Sequence, residues 1–230
     1  MKFIFIRHPE TMANVNRIIY GQTDSEYSPK GWADVPWVVK EMTGEKVDYI
    51  YTSPLKRASY LAGEVAKVVE WKDPAQAGLR EEPRMMEMHF GIFEGKTNQE
   101  ARELYGEGYE AFWYDFNNFK VPGGETFDQV KERVQEFLQE LLVEETAKRD
   151  PSDLLKPEDP RTKEEQIRAS SKVVVIVAHA LAIRGAMSFL LNIPLTDIWK
   201  IDIKPAGILE IDYTFNYGKL DSCRYQKHRD

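Results

Sequence analysis

Two histidines and two arginines stand where the chain changes from buried-strand patterning to polar turns. His8 follows Phe3-Ile4-Phe5-Ile6-Arg7, and His179 follows Val173-Val174-Val175-Ile176-Val177-Ala178. Arg57 lies in Ser53-Pro54-Leu55-Lys56-Arg57-Ala58, just after the apolar stretch 47–52. If the strands are neighbours, His8, His179, Arg7 and Arg57 converge on one spot. Arginine binds phosphate bidentately. A neutral histidine is a competent nucleophile for phosphoryl transfer, and a covalent intermediate splits one hard step into two. A carboxylic acid must then protonate the leaving oxygen. Glu87, in the glycine-bearing stretch 87–95, is the candidate. A metal site is the competing use of two histidines. It is the weaker one, because no third histidine or carboxylate has ligand-like spacing to either. His89 and His228 read as ordinary loop or surface residues.

The elements that must position these groups can be read in order. Phe3 to Ile6 suits a strand buried on both faces. Pro9 cannot donate a ladder hydrogen bond and pushes His8 toward an extended conformation, so the strand ends at His8. In open α/β sheets ligands bind at that carboxyl end. Residues 10–17 read as a helical turn or two, and Trp32 to Met42 as a helix. Val47 to Thr52 is the second strand. Ser53 is read as the N-cap and Pro54 as the first residue of a helix running to about Val69. Arg57 then sits in a first turn, where the macrodipole disfavours a cation, which hints at a nearby anion. Leu79 to Met86 is an extended link, and the stretch from Glu87 to Gly95 a shaped loop. Thr97 and Glu100 form a capping box. Residues 108–119 are dense in aromatics, either core or part of a substrate-covering lid. Pro122 to Thr126 is a turn before a long helix. Residues 148–172 read as a charged surface excursion with a short helix near Thr162 to Ala169. Val173 to Val177 is the most buried-looking strand, followed by a helix from Leu181 to Leu191. Ile208 to Tyr213 and Leu220 to Tyr225 are further strands.

Alternating strands and helices predict an α/β fold: a three-layer sandwich with a mostly parallel central sheet flanked by helices. With 230 residues, 42% hydrophobic and 30% charged, one soluble globular domain spanning 1–230 is expected. It carries a lid insertion at about 90–125 and the excursion at about 148–172. The net charge of −7 argues against a general nucleic-acid binder, though not against a small anionic substrate. No apolar stretch approaches the roughly 20 residues of a membrane span. The single cysteine, Cys223, cannot form an internal disulfide, which points to a reducing, cytoplasmic setting.

Taken together, these motifs resemble the histidine phosphatase superfamily, the phosphoglycerate-mutase-like enzymes. The stretch Arg7-His8-Pro9-Glu10-Thr11 with Asn14 is similar to that family's Arg-His-Gly-Glu-Thr motif and its following asparagine. Gly21-Gln22, Ser53 to Ala58, Glu87 to Gly91 with Glu94-Gly95, Gly123 to Thr126 and Ala178-His179 resemble its remaining motifs, in the family's order. The resemblance implies that His8 attacks phosphorus and becomes phosphohistidine. It makes Arg7, Arg57 and His179 the holders of the phosphoryl oxygens, and Glu87 the general acid and then base. Thr11, Asn14 and Gln22 are expected as polar substrate contacts, and the amide of Ala180 as a phosphate donor. No metal or organic cofactor is implied. The expected partner is a small phosphorylated substrate, with neither nucleic acid nor membrane, and a homodimer is left open.

Two positions depart from the pattern. Pro9 replaces a glycine after the nucleophile and must suit the local turn, or His8 is displaced. Ala180 replaces another glycine but keeps its N–H. The family's mutases carry an arginine pair after the acid loop, where this chain is aromatic (Phe112 to Phe119) with only Lys120 basic. A phosphomonoesterase with an apolar or planar portion to its substrate is therefore favoured. A phosphoglycerate mutase and a phospholigand-binding protein without turnover are the alternatives.

Overall fold

A computed structural model describes residues 1–147, 162, 171–214 and 216–226. The charged stretch 148–172, its expected helix and His228 therefore lie almost wholly outside the described residues. Six strands form the main sheet: β1 (Lys2–Arg7), β2 (Tyr49–Thr52), β3 (Leu79–Glu81), β4 (Val173–Ala178), β5 (Ile208–Thr214) and β6 (Tyr217–Arg224). Their spatial order is β6-β5-β1-β4-β2-β3. The four strands from β1 to β3 run parallel, and β5 and β6 are antiparallel to their neighbours. Seven helices are described: α1 (Met12–Val15), α2 (Pro29–Met42), α3 (Lys56–Ala66), α4 (Asn98–Tyr105), α5 (Glu107–Tyr114), α6 (Phe127–Ala147) and α7 (Ala180–Leu190).

Strand alternation sorts the apolar residues into two cores. Phe3, Phe5, Val174 and Ile176 pack on one face with Val134, Leu138, Ile183 and Met187 of α6 and α7. Ile4, Ile6, Val175 and Val177 pack on the other with Val38, Leu61 and Val65 of α2 and α3. Successive side chains of a strand point to opposite faces, so continuous β-branched runs suit strands covered on both sides. The sheet is thus the middle of three layers.

Three local expectations change. The run 47–52 is two pieces: Lys46–Val47 pairs with Glu70–Trp71, and only Tyr49–Thr52 joins the main sheet. The break falls at Asp48, whose buried carboxylate accepts from the Val173 N–H and pairs with Lys72 and Lys172. The helix after β2 runs from Lys56 to Ala66, not from Pro54 to Val69, and Leu55 caps it without a side-chain bond. The link 79–86 supplies an edge strand, Leu79–Glu81, then a 3-10 turn at Pro83–Met85. The Thr97–Glu100 capping box forms as read.

Candidate active site

The register of the two central strands creates the site. Arg7 pairs with Ala178 across β1 and β4, so the next residues, His8 and His179, emerge side by side. The His8 N–H donates to the Ala178 carbonyl at 3.0 Å. The two imidazole centroids lie 5.1 Å apart, tilted by 55°. Both residues are buried.

The hydrogen bond of His8 fixes its tautomer. His8 Nδ1 lies 2.7 Å from the Pro9 carbonyl oxygen. A carbonyl only accepts, so Nδ1 carries the proton and Nε2 keeps its lone pair. Pro9 therefore leaves His8 in its strand-end place. Burial, then the charges of Arg57 and Arg7, push the His8 pKa well below its ordinary 6.5. His179 Nε2 lies 2.8 Å from the Ser53 hydroxyl. That hydroxyl accepts from the Leu55 N–H at 3.3 Å and keeps its proton and a second lone pair for Nε2, so this contact suits either tautomer. Nδ1 of His179 is buried and has no hydrogen-bond partner among the described residues. Burial and the neighbouring His8 and arginines hold His179 well below 6.5 as well.

The arginines are held by backbone carbonyls. Arg7 Nη1 donates to the Ile203 carbonyl at 2.6 Å, and its Nε has no partner. Arg57 donates to the carbonyls of Thr23 (2.9 Å) and Gly21, and to Asp24 Oδ1 at 3.2 Å. Its guanidinium carbon sits 4.8 Å from the Tyr20 ring centroid. The buried Glu87 carboxylate accepts from the Leu181 N–H in the first turn of α7, at 3.2 and 3.3 Å. It accepts from the Met88 N–H at 2.9 Å as well. Arg133 of α6 fixes the acid loop by donating to the carbonyls of Arg84, Met86 and Glu87 and to the Glu125 carboxylate. Gly91 lets this loop pack on the turn before α6: its φ is +52°, and a Cβ there would sit 2.2 Å from the Pro122 carbonyl oxygen. Glu94 accepts from the N–H groups of Gln22, Thr23 and Phe90 and ties that loop to the one under Arg57.

These groups line a cavity of about 380 Å³. Arg7, His8, Arg57, Glu87, Asn14 and Ala180 all face it. His179 is buried 5.1 Å from His8 between ring centroids and is not part of the lining. Two expected contacts stand further back. Thr11 caps α1 and donates to Asn14 Oδ1, which also accepts from the Thr11 N–H and the Tyr20 hydroxyl. That leaves the Asn14 amide NH₂ for the cavity. Gln22 reaches the Glu87 carbonyl at 3.4 Å and is placed to support the acid loop. His89 accepts from the Gly91 N–H with Nδ1, an ordinary loop role. The aromatics of 108–119 serve both readings. Phe112 is core, while Phe112, Trp113 and Phe116 also wall the cavity with Phe90. Sequence reasoning missed Ser53 as the partner of His179, and it missed Arg184 and Trp199, which line the same cavity.

Two buried imidazoles beside the guanidinium groups of Arg7 and Arg57 are groups able to bind and accept a phosphoryl group. The family model of the histidine phosphatase superfamily (branch 1) matches residues 3–150 and 161–225, and the chain belongs to that superfamily. Phosphoserine phosphatase 1 of Hydrogenobacter thermophilus is 26% identical over 199 residues, covering 86% of this chain and 80% of that protein. A 2,3-bisphosphoglycerate-dependent phosphoglycerate mutase of Borrelia garinii is 24% identical over 225 residues, covering 94% of this chain and 88% of that one. The α-ribazole phosphatase of Shigella flexneri superposes with a TM-score of 0.75 at 21% identity, covering 96% of this chain and 94% of its own. Among the described residues no group of three His, Cys, Asp or Glu side chains could hold a metal ion, and no helix is long and apolar enough to cross a membrane.

Proposed function

We propose that the chain is a phosphomonoesterase acting on a small phosphorylated metabolite through a phosphohistidine at His8. The observation that carries this reading is the His8 tautomer: Nδ1–H is committed to the Pro9 carbonyl, and Nε2 is free beside Arg7 and Arg57. In the first step Nε2 bonds to phosphorus as the ester P–O bond breaks. Glu87 gives its proton to the leaving oxygen. In the second step the Glu87 carboxylate takes a proton from water, whose oxygen attacks phosphorus and breaks the P–N bond. Free phosphate leaves and His8 is regenerated. Arg7, Arg57 and the His179 Nδ1–H hold the equatorial oxygens, where negative charge must be held throughout. The aromatic wall of Phe90, Phe112, Trp113 and Phe116 supports a substrate whose non-transferred end is partly apolar.

The test is acid-stable versus acid-labile phosphoenzyme. Wild-type protein mixed with a ³²P-labelled phosphomonoester and quenched in base is expected to carry label that acid releases. His8→Ala is expected to carry none and to lose turnover of p-nitrophenyl phosphate. Turnover that survives His8→Ala would overturn the reading. So would isomerisation of 3-phosphoglycerate, primed by its bisphosphate, that outruns hydrolysis.

A further inference from the structure

Arg133 is not among the residues that line the cavity. Its guanidinium has five N–H groups and makes five hydrogen bonds, all to the acid loop and the turn beside it. Nε donates to Glu125 Oε1 at 2.9 Å, and Nη1 to the Arg84 and Met86 carbonyls at 2.5 and 2.8 Å. Nη2 donates to the Glu87 carbonyl at 3.2 Å and to Glu125 Oε2 at 3.1 Å. Glu125, which balances the charge, also accepts from the His89 N–H at 2.9 Å. The loop is therefore gripped on both sides of Glu87. The peptide unit between Glu87 and Met88 holds the decisive place. Its carbonyl accepts from Arg133, and its N–H donates to Glu87 Oε1 at 2.9 Å. A peptide unit is planar and rigid, so its two ends turn together. Whatever turns the carbonyl away from Arg133 turns the N–H away from the Glu87 carboxylate. Gln22 reaches the same carbonyl at 3.4 Å, a longer and weaker contact. The carboxylate's other grip, the Leu181 N–H, comes from a different element.

We infer that Arg133 is a positioning residue for proton transfer: it aims the Glu87 carboxyl group at the leaving oxygen through the 87–88 peptide. This rests on the phosphomonoesterase reading and adds to it a residue that touches neither substrate nor reacting atoms. The chemistry divides accordingly. His8, Arg7 and Arg57 make their hydrogen bonds elsewhere, so attack on phosphorus does not run through Arg133. Protonation of the leaving oxygen, and later deprotonation of water, both run through Glu87. Loss of Arg133 therefore costs most where a proton must be given. An alkoxide needs that proton to leave, whereas p-nitrophenolate, a stable anion, leaves without it. The charge of Arg133 also reaches His179, as the last of several causes that lower its pKa. Lysine keeps that charge opposite Glu125 but has three donors on one nitrogen in place of a planar fork of five. Arg133→Lys thus separates the geometry of the loop from the charge behind it.

The experiment compares kcat/KM for benzyl phosphate, whose leaving group is an alkoxide, with that for p-nitrophenyl phosphate. Wild type, Arg133→Met, Arg133→Lys, Glu87→Gln and the Arg133→Met/Glu87→Gln double variant are measured. Arg133→Met is expected to lower the benzyl-to-nitrophenyl ratio by about 10- to 100-fold, the range of a misplaced acid. Arg133→Lys is expected to fall between that variant and wild type. Rapid quench during p-nitrophenyl phosphate turnover is expected to find more phosphoenzyme in Arg133→Met, because Glu87 is then also misplaced as the base for water. In the Glu87→Gln background, Arg133→Met is expected to leave the ratio unmoved, since the group it aims is gone. Equal losses on both substrates would show a role in folding alone and overturn the inference. A ratio that falls as far again in the double variant would overturn it too. Should Arg133→Met not fold, Arg133→Lys decides: a wild-type ratio there overturns the inference. The two claims come apart cleanly. If Glu87→Gln lowers the ratio and neither Arg133 variant does, only the role of Arg133 is wrong. If His8→Ala still turns over substrate, the phosphohistidine reading fails and takes the inference with it.

Discussion

Replacing Pro9 by glycine, the residue usual at this place in the family, isolates what the proline does. Pro9 is buried directly after His8. Its carbonyl holds His8 Nδ1 at 2.7 Å, and glycine keeps that carbonyl. The change therefore acts on stability first. It deletes three buried ring carbons at about 0.8 kcal/mol each. It also frees the unfolded chain by about 0.4–1 kcal/mol. The two effects together destabilise by about 3 kcal/mol, or roughly 6–12 °C in Tm at this chain length. The added N–H brings one more buried donor and acts in the same direction. Because the tautomer of His8 rests on the carbonyl, kcat/KM is expected to change by less than about 10-fold, against the 10²-fold that a misplaced reacting group brings. Thermal melting by circular dichroism and steady-state hydrolysis measure the two quantities on one preparation. An unchanged Tm would show that the ring anchors nothing. A rise in kcat/KM beyond 10-fold would show that the proline holds His8 away from its attacking position, and the reasoning would fail.

Two further outcomes follow from the same geometry. Ser53→Ala removes the hydroxyl that bonds His179 Nε2 at 2.8 Å and leaves that buried ring unanchored. It should lower kcat by about 10- to 100-fold and stability by about 1–3 kcal/mol, read by single-turnover kinetics and melting; an unchanged kcat would remove Ser53 from the site. Both histidines have folded pKa values well below the ordinary 6.5, so the unfolded chain takes up their protons first as pH falls. The stability this gives is full above about pH 6.5 and declines as pH drops below it toward the folded values. His8 likewise stays unprotonated, so under the proposed reading the rate of phosphoenzyme formation should hold steady from pH 7.5 to 6. A fall by half near pH 6.5 in a rapid-quench profile would contradict the burial argument.

What the sequence discloses and what it hides divide along contact range. The β-branched runs, the stop at Pro9 and the Thr97–Glu100 box are local signals, and each appears where read. The meeting of His8 and His179 depends on which strands are neighbours, and only the motif order of the family suggested it. Ser53 was misread because an N-cap is a local use for serine before proline. Its actual partner is 126 residues away in sequence. Asp48 broke the second strand for a comparable reason, since its lysine partner Lys172 and the Val173 amide lie across the sheet. Arg184 did carry a local signal. It follows Ala180 by four residues, and i,i+4 residues share a helix face. Once Ala180 is placed at the phosphoryl site, Arg184 falls on the same side.

The charge of the site does not follow the charge of the chain. The net charge is −7, yet Arg7, Arg57 and Arg184 line the cavity against the single carboxylate of Glu87. Among the described residues only Arg57 of the three has an ion-pair partner, Asp24. The others are held by carbonyl oxygens, whose dipoles fix a guanidinium without neutralising it. One field then has two effects. It adds to burial, the larger cause, in keeping the two imidazoles from taking on further positive charge, so that His8 retains its lone pair. It also leaves the cavity short of negative charge, which a phosphate ester supplies on binding. The arginine charge therefore bears on His8 and on a bound phosphate ester together, and a change that placed a carboxylate beside Arg7 would weaken both at once: ester binding by competition, and attack by raising the pKa of His8.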